Sequence, residues 1–193
     1  MKKLKLIVGL LVLAIMVSAC AKTKSSADGT EEKGKLIVYY SLTGNTKFAA
    51  DYIQSLTGAD IFKLEPVEPY SEEIFDSIER VRIERELDYR PQLAGGIDNL
   101  ADYDIIFIGS PNWFGTLSLP VFSFLETHDL SGKTVVPFIT YGGGGFENTI
   151  TDLKNLLPEA SVLPEFGIAG VDIENCQPDI QQWLKNIKML EEE

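Results

Sequence analysis

From Lys35 onward, short β-rich apolar runs alternate with segments patterned like helices, and this alternation continues to the end of the chain. Strands are expected over 35–40, 61–64, 104–109, 134–140 and 161–169. Helices are expected over about 46–56, 71–87, 119–127 and 147–157, with a last one placed by Ile180, Trp183, Leu184 and Ile187. Apolar residues recur at helical spacing within these segments: Ala49, Ile53 and Leu56 on one stripe; Ile74, Ile78 and Val81 as the expected buried stripe of the second helix; Ile150, Leu153 and Leu157 on one face. Ser71 is expected to cap the second helix, with Glu72 and Glu73 against its N-terminal dipole. The run Asp104-Ile105-Ile106-Phe107-Ile108-Gly109 is apolar almost throughout, as a central parallel strand buried on both faces must be. Such alternation predicts a parallel sheet covered on both sides by right-handed crossovers, a three-layer α/β domain. In sheets of this kind ligands sit beyond the carboxyl ends of the strands, near the switch in strand order.

The loop after the first strand carries the chemistry. Ser41-Leu42-Thr43-Gly44-Asn45-Thr46 joins an apolar strand to a helix. Backbone N–H groups at a helix mouth converge on one point, and the helix dipole adds positive potential there. Ser41, Thr43 and Thr46 add hydroxyl donors, and Gly44 lets the backbone approach a ligand. The loop lacks the Gly-Lys-Ser/Thr ending of a nucleoside-triphosphate loop and the spaced glycines of a dinucleotide loop. It suits a monoester phosphate without metal; the plainer alternative is an ordinary Ser/Thr-rich helix cap.

Two further loops belong to the same edge. Ser110-Pro111-Asn112-Trp113-Phe114-Gly115-Thr116 follows the third strand, and Tyr141-Gly142-Gly143-Gly144-Gly145-Phe146 follows the fourth. Trp113, Phe114 or Tyr141 can stack on a flat ring system, and bare glycine backbone can reach its polar rim. Taken singly, each loop could equally be a set of aromatic plugs and turns. Convergence of three on one edge favours a binding site.

The first residues read as processing signals. Lys2, Lys3 and Lys5 precede an apolar run from Leu6 to Val17, too short for an ordinary membrane span, and Val17-Ser18-Ala19-Cys20 follows. This is similar to the lipobox of a bacterial lipoprotein signal peptide, which implies a leader over 1–19 and lipidation at Cys20. An ordinary secretory signal or a short anchor is the alternative. Residues 20–34 then form a polar tether without large apolar groups, and 35–193 the folded domain. The formal charge is −12, and removal of the three leader lysines leaves −15. So acidic a body argues against nucleic acid as a partner. With Cys20 lipidated, Cys176 has no disulfide partner, and a lone His128 gives no metal-ligand set.

Together these residues resemble the flavodoxins. The resemblance is carried by Tyr39–Lys47, Arg90-Pro91-Gln92-Leu93, Gly109–Gly115, Phe124-Leu125-Glu126, Asp129–Lys133 and the Thr140–Gly145 loop. It implies a flavodoxin-like doubly wound sandwich with a five-stranded parallel sheet in the order 2-1-3-4-5, and non-covalent FMN. By position, Ser41, Leu42, Thr43, Gly44, Asn45 and Thr46 would hold the FMN phosphate. Pro111, Asn112, Trp113, Phe114 and Gly115 would line one side of the flavin; Tyr141, Gly142, Gly143 and Gly144 would line the other. The Phe114–Gly115 peptide would be the one able to turn its carbonyl toward the ring. The chain departs from the family in having Ser110 where Tyr is common, Trp113-Phe114 where a Trp pair is common, and an unbroken run of glycines in the third loop.

The expected function is an FMN electron carrier tethered through Cys20 to the extracytoplasmic face of the cell membrane. No catalytic side chain and no metal is expected. Its partner would be a redox protein with a basic docking face, or a membrane quinone. The alternatives are an FMN-dependent NAD(P)H:quinone, nitro- or azo-oxidoreductase, and an FMN-binding module without redox turnover.

Overall fold

The computed structural model describes residues 34–71 and 73–191. The expected leader, Cys20 and the tether up to residue 33 lie outside the described residues. Gly34, assigned to the tether from the sequence, is the first residue of β1 (Gly34–Tyr39).

The chain continues through α1 (Asn45–Thr57), β2 (Asp60–Lys63), α2 (Ile74–Glu86), β3 (Tyr103–Trp113), β4 (Thr116–Leu117), α3 (Leu119–Thr127), β5 (Thr134–Tyr141) and α4 (Thr149–Leu156). It ends with β6 (Ser161–Val162), β7 (Phe166–Ala169) and α5 (Gln177–Asn186). The sheet runs β2-β1-β3-β5-β6, with β7 also on β5, and all these pairings are parallel. Counting β6 and β7 as one interrupted strand, this is the expected order 2-1-3-4-5. The interruption falls at Pro164, which has no N–H to give to the ladder; its carbonyl instead accepts the Trp183 indole N–H at 2.9 Å.

Alternate residues of each central strand go to opposite faces, as strand geometry requires. Leu36, Val38, Ile106, Ile108, Val135 and Ile139 pack in one core with Val81 of α2, Phe124 of α3 and Leu153 of α4. Ile37, Phe107, Val136 and Phe138 pack in the other with Ala49, Ala50 and Ile53 of α1 and Ile180, Trp183 and Leu184 of α5. Helices α2, α3 and α4 therefore cover one face, α1 and α5 the other.

Two further expectations from the sequence need correction. Residues 110–116 are not a loop: β3 extends to Trp113 and folds back through Phe114–Gly115 into β4, pairing Asn112 with Leu117 and Trp113 with Thr116. Both turn residues have positive φ, 53° and 83°, which is what a two-residue hairpin turn demands. Glycine takes that conformation easily; Phe114 does not, and the contacts described below hold it there. The second correction concerns α2. It starts at Ile74 behind an N-cap at Glu73, while Ser71 accepts the Glu73 N–H outside the helix at 3.1 Å. Its Ile74-Ile78-Val81 stripe is buried only at Val81; Ile74 is 53% and Ile78 44% exposed.

Gly109 sits where the two central pairings meet, opposite Tyr39 on one side and Phe138 on the other. A Cβ there would penetrate the Phe138 ring and come within 2.7 Å of the Tyr39 Cβ. Gly109→Ala is therefore expected to lower stability by about 1–3 kcal/mol through overpacking. The reading is a lower urea midpoint at unchanged slope.

Candidate functional site

β1, β3 and β5 end on the same edge of the sheet, and the crevice lies at the β1–β3 switch. A cavity of about 400 Å³ opens there. That is within the range that holds a small cofactor.

One end of the cavity is the Ser/Thr loop. Gly44 is the N-cap of α1 at φ 94°, and no side chain caps the helix. The first-turn N–H groups of α1 are thus left to an external acceptor. Thr46 is buried, and its hydroxyl shares a 2.8 Å hydrogen bond with the hydroxyl of Thr140 at the end of β5. This bond ties the first loop to the third strand end. Ser41 Oγ is buried without any hydrogen-bond partner. A buried hydroxyl left unpaired costs stability unless a ligand satisfies it.

The rest is a slot with two walls from different elements, Trp113 and Phe114 of the hairpin and Ile74, Ile78 and Val81 of α2. Trp113 is fixed edge-on against Tyr40 (5.3 Å between centroids) and Tyr70 (5.0 Å). Arg80 lies over the Tyr70 ring at 4.1 Å, and the Tyr70 hydroxyl donates to Glu84 at 2.6 Å. Burial, followed by the bond to Glu84, pushes the Tyr70 phenol well above its ordinary range, and burial raises Tyr40 likewise. Both phenols stay neutral, and their rings pack edge-on against Trp113.

Asn112 locks the loops together. Its Nδ2 donates to the Gly145 carbonyl (2.7 Å), and its Oδ1 accepts the Gly115 N–H (2.8 Å). The Gly115 carbonyl accepts the Asn148 N–H at 2.8 Å, and Thr116 Oγ1 donates to Asp152 of α4. Ser110, fully buried, accepts the Ser118 N–H at 2.9 Å and so fixes the start of α3. The Phe114 carbonyl accepts from Arg85 Nη1 at 2.7 Å.

Of the residues singled out from the sequence, Leu42, Thr43, Thr46, Pro111, Asn112, Trp113, Phe114 and Gly142 line this cavity. Ser41 lines the neighbouring one, of about 460 Å³, with Tyr40 and Leu42. The Asn45 side chain leans against Gly170, and Tyr141 packs edge-on against Phe146 at 6.0 Å. Gly115 and Gly144 are covered by the Glu147 carboxylate, so a side chain at either would collide with it. Gly115 is also held at positive φ, which strains any substitution there irrespective of a ligand. Sequence reading missed Ile74, Ile78 and Val81 as slot lining, Thr140 as partner of Thr46, Arg85 at the turn, and Glu147. Helical spacing marked the α2 residues as apolar but left open what they face. For Arg85 and Glu147 no local pattern signals a role.

His128 sits at the far end of α3, its Nδ1 2.9 Å from the Phe124 carbonyl and its ring stacked on Phe124. It takes no part in the site.

The geometry has parallels in known proteins. The model of the flavodoxin family matches residues 34–187. A candidate flavoprotein from Bacteroides eggerthii is 31% identical, with a TM-score of 0.71 over 80% of this chain and 98% of its own. A flavoprotein from Lactobacillus acidophilus solved in complex with FMN is 23% identical, with a TM-score of 0.59 over 74% of this chain and 97% of that one. The FMN-bound flavodoxin of Fusobacterium nucleatum, 16% identical, has a TM-score of 0.53 over 81% and 97%. At those lower identities the likeness is one of fold. No curated protein matches the chain. The family match over nearly all the described residues, and a relative of the same fold above 30% identity, agree with the crevice built above: the chain belongs to the flavodoxin family.

Proposed function

We propose that the domain binds FMN and serves as an electron-transfer protein, held at the extracytoplasmic face of the cell membrane through a lipid on Cys20. One observation carries the cofactor reading: the uncapped mouth of α1, with Thr43 and Thr46, opens into an aromatic-lined slot, and the unpaired buried Ser41 hydroxyl lies beside it on the neighbouring cavity. The residues present fit the group. Ser41, Thr43, Thr46 and the N–H groups of the α1 mouth would hold the phosphate. Trp113 and Phe114 would flank the ring, opposite α2.

When bound, FMN supplies the one- and two-electron chemistry. The chain's own work is binding and orientation. Tyr40 and Tyr70 keep the Trp113 ring edge-on to themselves. Asn112 accepts the Gly115 N–H and donates to the Gly145 carbonyl, so the two loops flanking the slot keep one spacing. With a ring in the slot, Ile74, Ile78 and Val81 would exclude water from it. No step in such a carrier calls for an acid, base or nucleophile from the protein. The charge of −12, or −15 without the three leader lysines, would steer it toward a partner with a basic face, and a membrane quinone is the small-molecule alternative.

The deciding experiment is anaerobic reductive titration of residues 21–193 after incubation with FMN and desalting. Retained flavin that bleaches in two separable one-electron steps is the expected outcome. A single two-electron step, with oxidation of NAD(P)H by the protein alone, would replace the carrier with a quinone-type oxidoreductase. Loss of the flavin on desalting would sink the cofactor assignment. Two substitutions dissect the site. Ser41→Ala is expected to weaken FMN about tenfold or more while leaving riboflavin affinity nearly unchanged, because it removes a hydroxyl given to the phosphate. Asn112→Ala is expected to weaken FMN and riboflavin alike, since it loosens the slot rather than the cradle; fluorescence titration with both flavins reads the contrast.

A further inference from the structure

Arg85 sits in the last turn of α2, exposed to solvent. Its neighbours Arg80, Arg82 and Arg90 each pair with carboxylates, and the chain holds 29 Asp and Glu residues. Among the described residues no carboxylate pairs with Arg85. Its Nη1 donates instead to two backbone carbonyls of the hairpin, Phe114 at 2.7 Å and Trp113 at 3.3 Å. The guanidinium carbon also lies 5.5 Å from the centre of the Phe114 ring.

These bonds join the two walls of the slot. Among the described residues, the other side-chain bonds that α2 makes to residues outside it go to the segment leading into it. Ser77 donates to the Ser71 carbonyl, Arg80 to the Pro69 carbonyl at 2.9 Å, and Glu84 accepts from Tyr70. They hold α2 to its own approach, not to the hairpin. Burial adds little, because of thirteen residues in α2 only Ser77 and Val81 are buried. By contrast α3, of nine residues, buries six. A helix this thinly packed opens at low free energy unless something else ties it down. The hairpin, for its part, carries Phe114 at positive φ and half exposed, a conformation that needs external support.

We propose that Arg85 is a positioning residue that clamps α2 to the Trp113–Phe114 hairpin, so that release of the flavin requires these two bonds to break. The proposal rests on the FMN reading for its ligand, but its mechanical part concerns the protein alone. With the clamp made, Ile74 and Ile78 line the slot together with Phe114. With it broken, α2 is free to lift from its C-terminal end, and the slot widens along its length. Because both acceptors are backbone carbonyls, the two hydrogen bonds depend on the turn of the hairpin, and the Phe114 ring adds a contact of its own.

Arg85→Met keeps the length and the apolar stem and removes every donor; Arg85→Lys restores one cationic donor. In the flavin-free protein, Arg85→Met is expected to speed amide hydrogen exchange across α2 about tenfold, with β1, β3 and β5 unchanged, and Arg85→Lys to recover part of that protection. In the FMN-loaded protein, dissociation followed by the rise in flavin fluorescence on dilution is expected to be about tenfold faster for Arg85→Met. A tenfold change corresponds to about 1.4 kcal/mol. Association should change far less. Unaltered exchange in α2 overturns the clamp whatever the flavin does. So does exchange accelerated equally throughout the sheet, which would mean general destabilisation. Altered exchange with unaltered flavin release overturns the gating role. If the wild-type protein retains no FMN, the cofactor reading fails, and exchange in the flavin-free protein alone decides for or against the clamp.

Discussion

The parallel pairing of β1 with β3, and of β3 with β5, is the constraint from which the site follows. Strands locked in parallel end on the same side, so three turns of chain far apart in sequence are delivered to one crevice. The register is set by the two-sided burial of Ile37, Val38, Ile106, Phe107 and Val136, and a slip by one residue would exchange the residues of the two cores. Gly109 marks how close the fit is, because the Phe138 ring uses the space a side chain would need. The Thr46–Thr140 bond is possible only in this register, since it joins the mouth of α1 to the end of β5 across β3.

Above that frame the walls are held with unequal firmness. Asn112, Ser110 and Thr116 anchor the hairpin to the third loop, α3 and α4 through buried or half-buried hydrogen bonds. Tyr40 and Tyr70 fix Trp113 from behind. On the opposite side α2 is apolar toward the slot but hardly buried. The apolar area of Ile74 and Ile78 is the kind of surface that a flat ring would cover, so the ligand itself would complete the packing of this helix.

Much of this was legible in the sequence, and what was not has physical reasons. The strands and their order follow from apolar runs that pack on both faces, and the cradle from hydroxyls beside Gly44 at a strand-to-helix junction. The hairpin was hidden because Phe114–Gly115 is not one of the Asn-Gly or Asp-Gly pairs that signal such turns. The α2 stripe was misread because periodicity shows that residues share a face, not whether that face meets core or cavity. Strand five was read through Pro164, whose missing N–H divides it. Arg85 and Glu147 act through backbone and neighbouring loops, and nothing local in the sequence encodes such contacts.

The chain's acidity and its anion cradle are compatible because they act over different distances. At physiological ionic strength charges more than about 8 Å apart are largely screened. The net charge of −12 therefore acts on encounter with partners rather than on a group seated in the crevice. A phosphate there would meet N–H and O–H donors at about 3 Å, where local geometry dominates. Ser41 Oγ, buried and unpaired, is a donor prepared in advance, and its desolvation cost has already been met on folding. An acidic domain can thus hold an anion at its helix mouth and still present a negative face to its surroundings. In the proposed electron carrier the two properties would serve separate ends: the cradle would retain the cofactor, while the surface would select what approaches it.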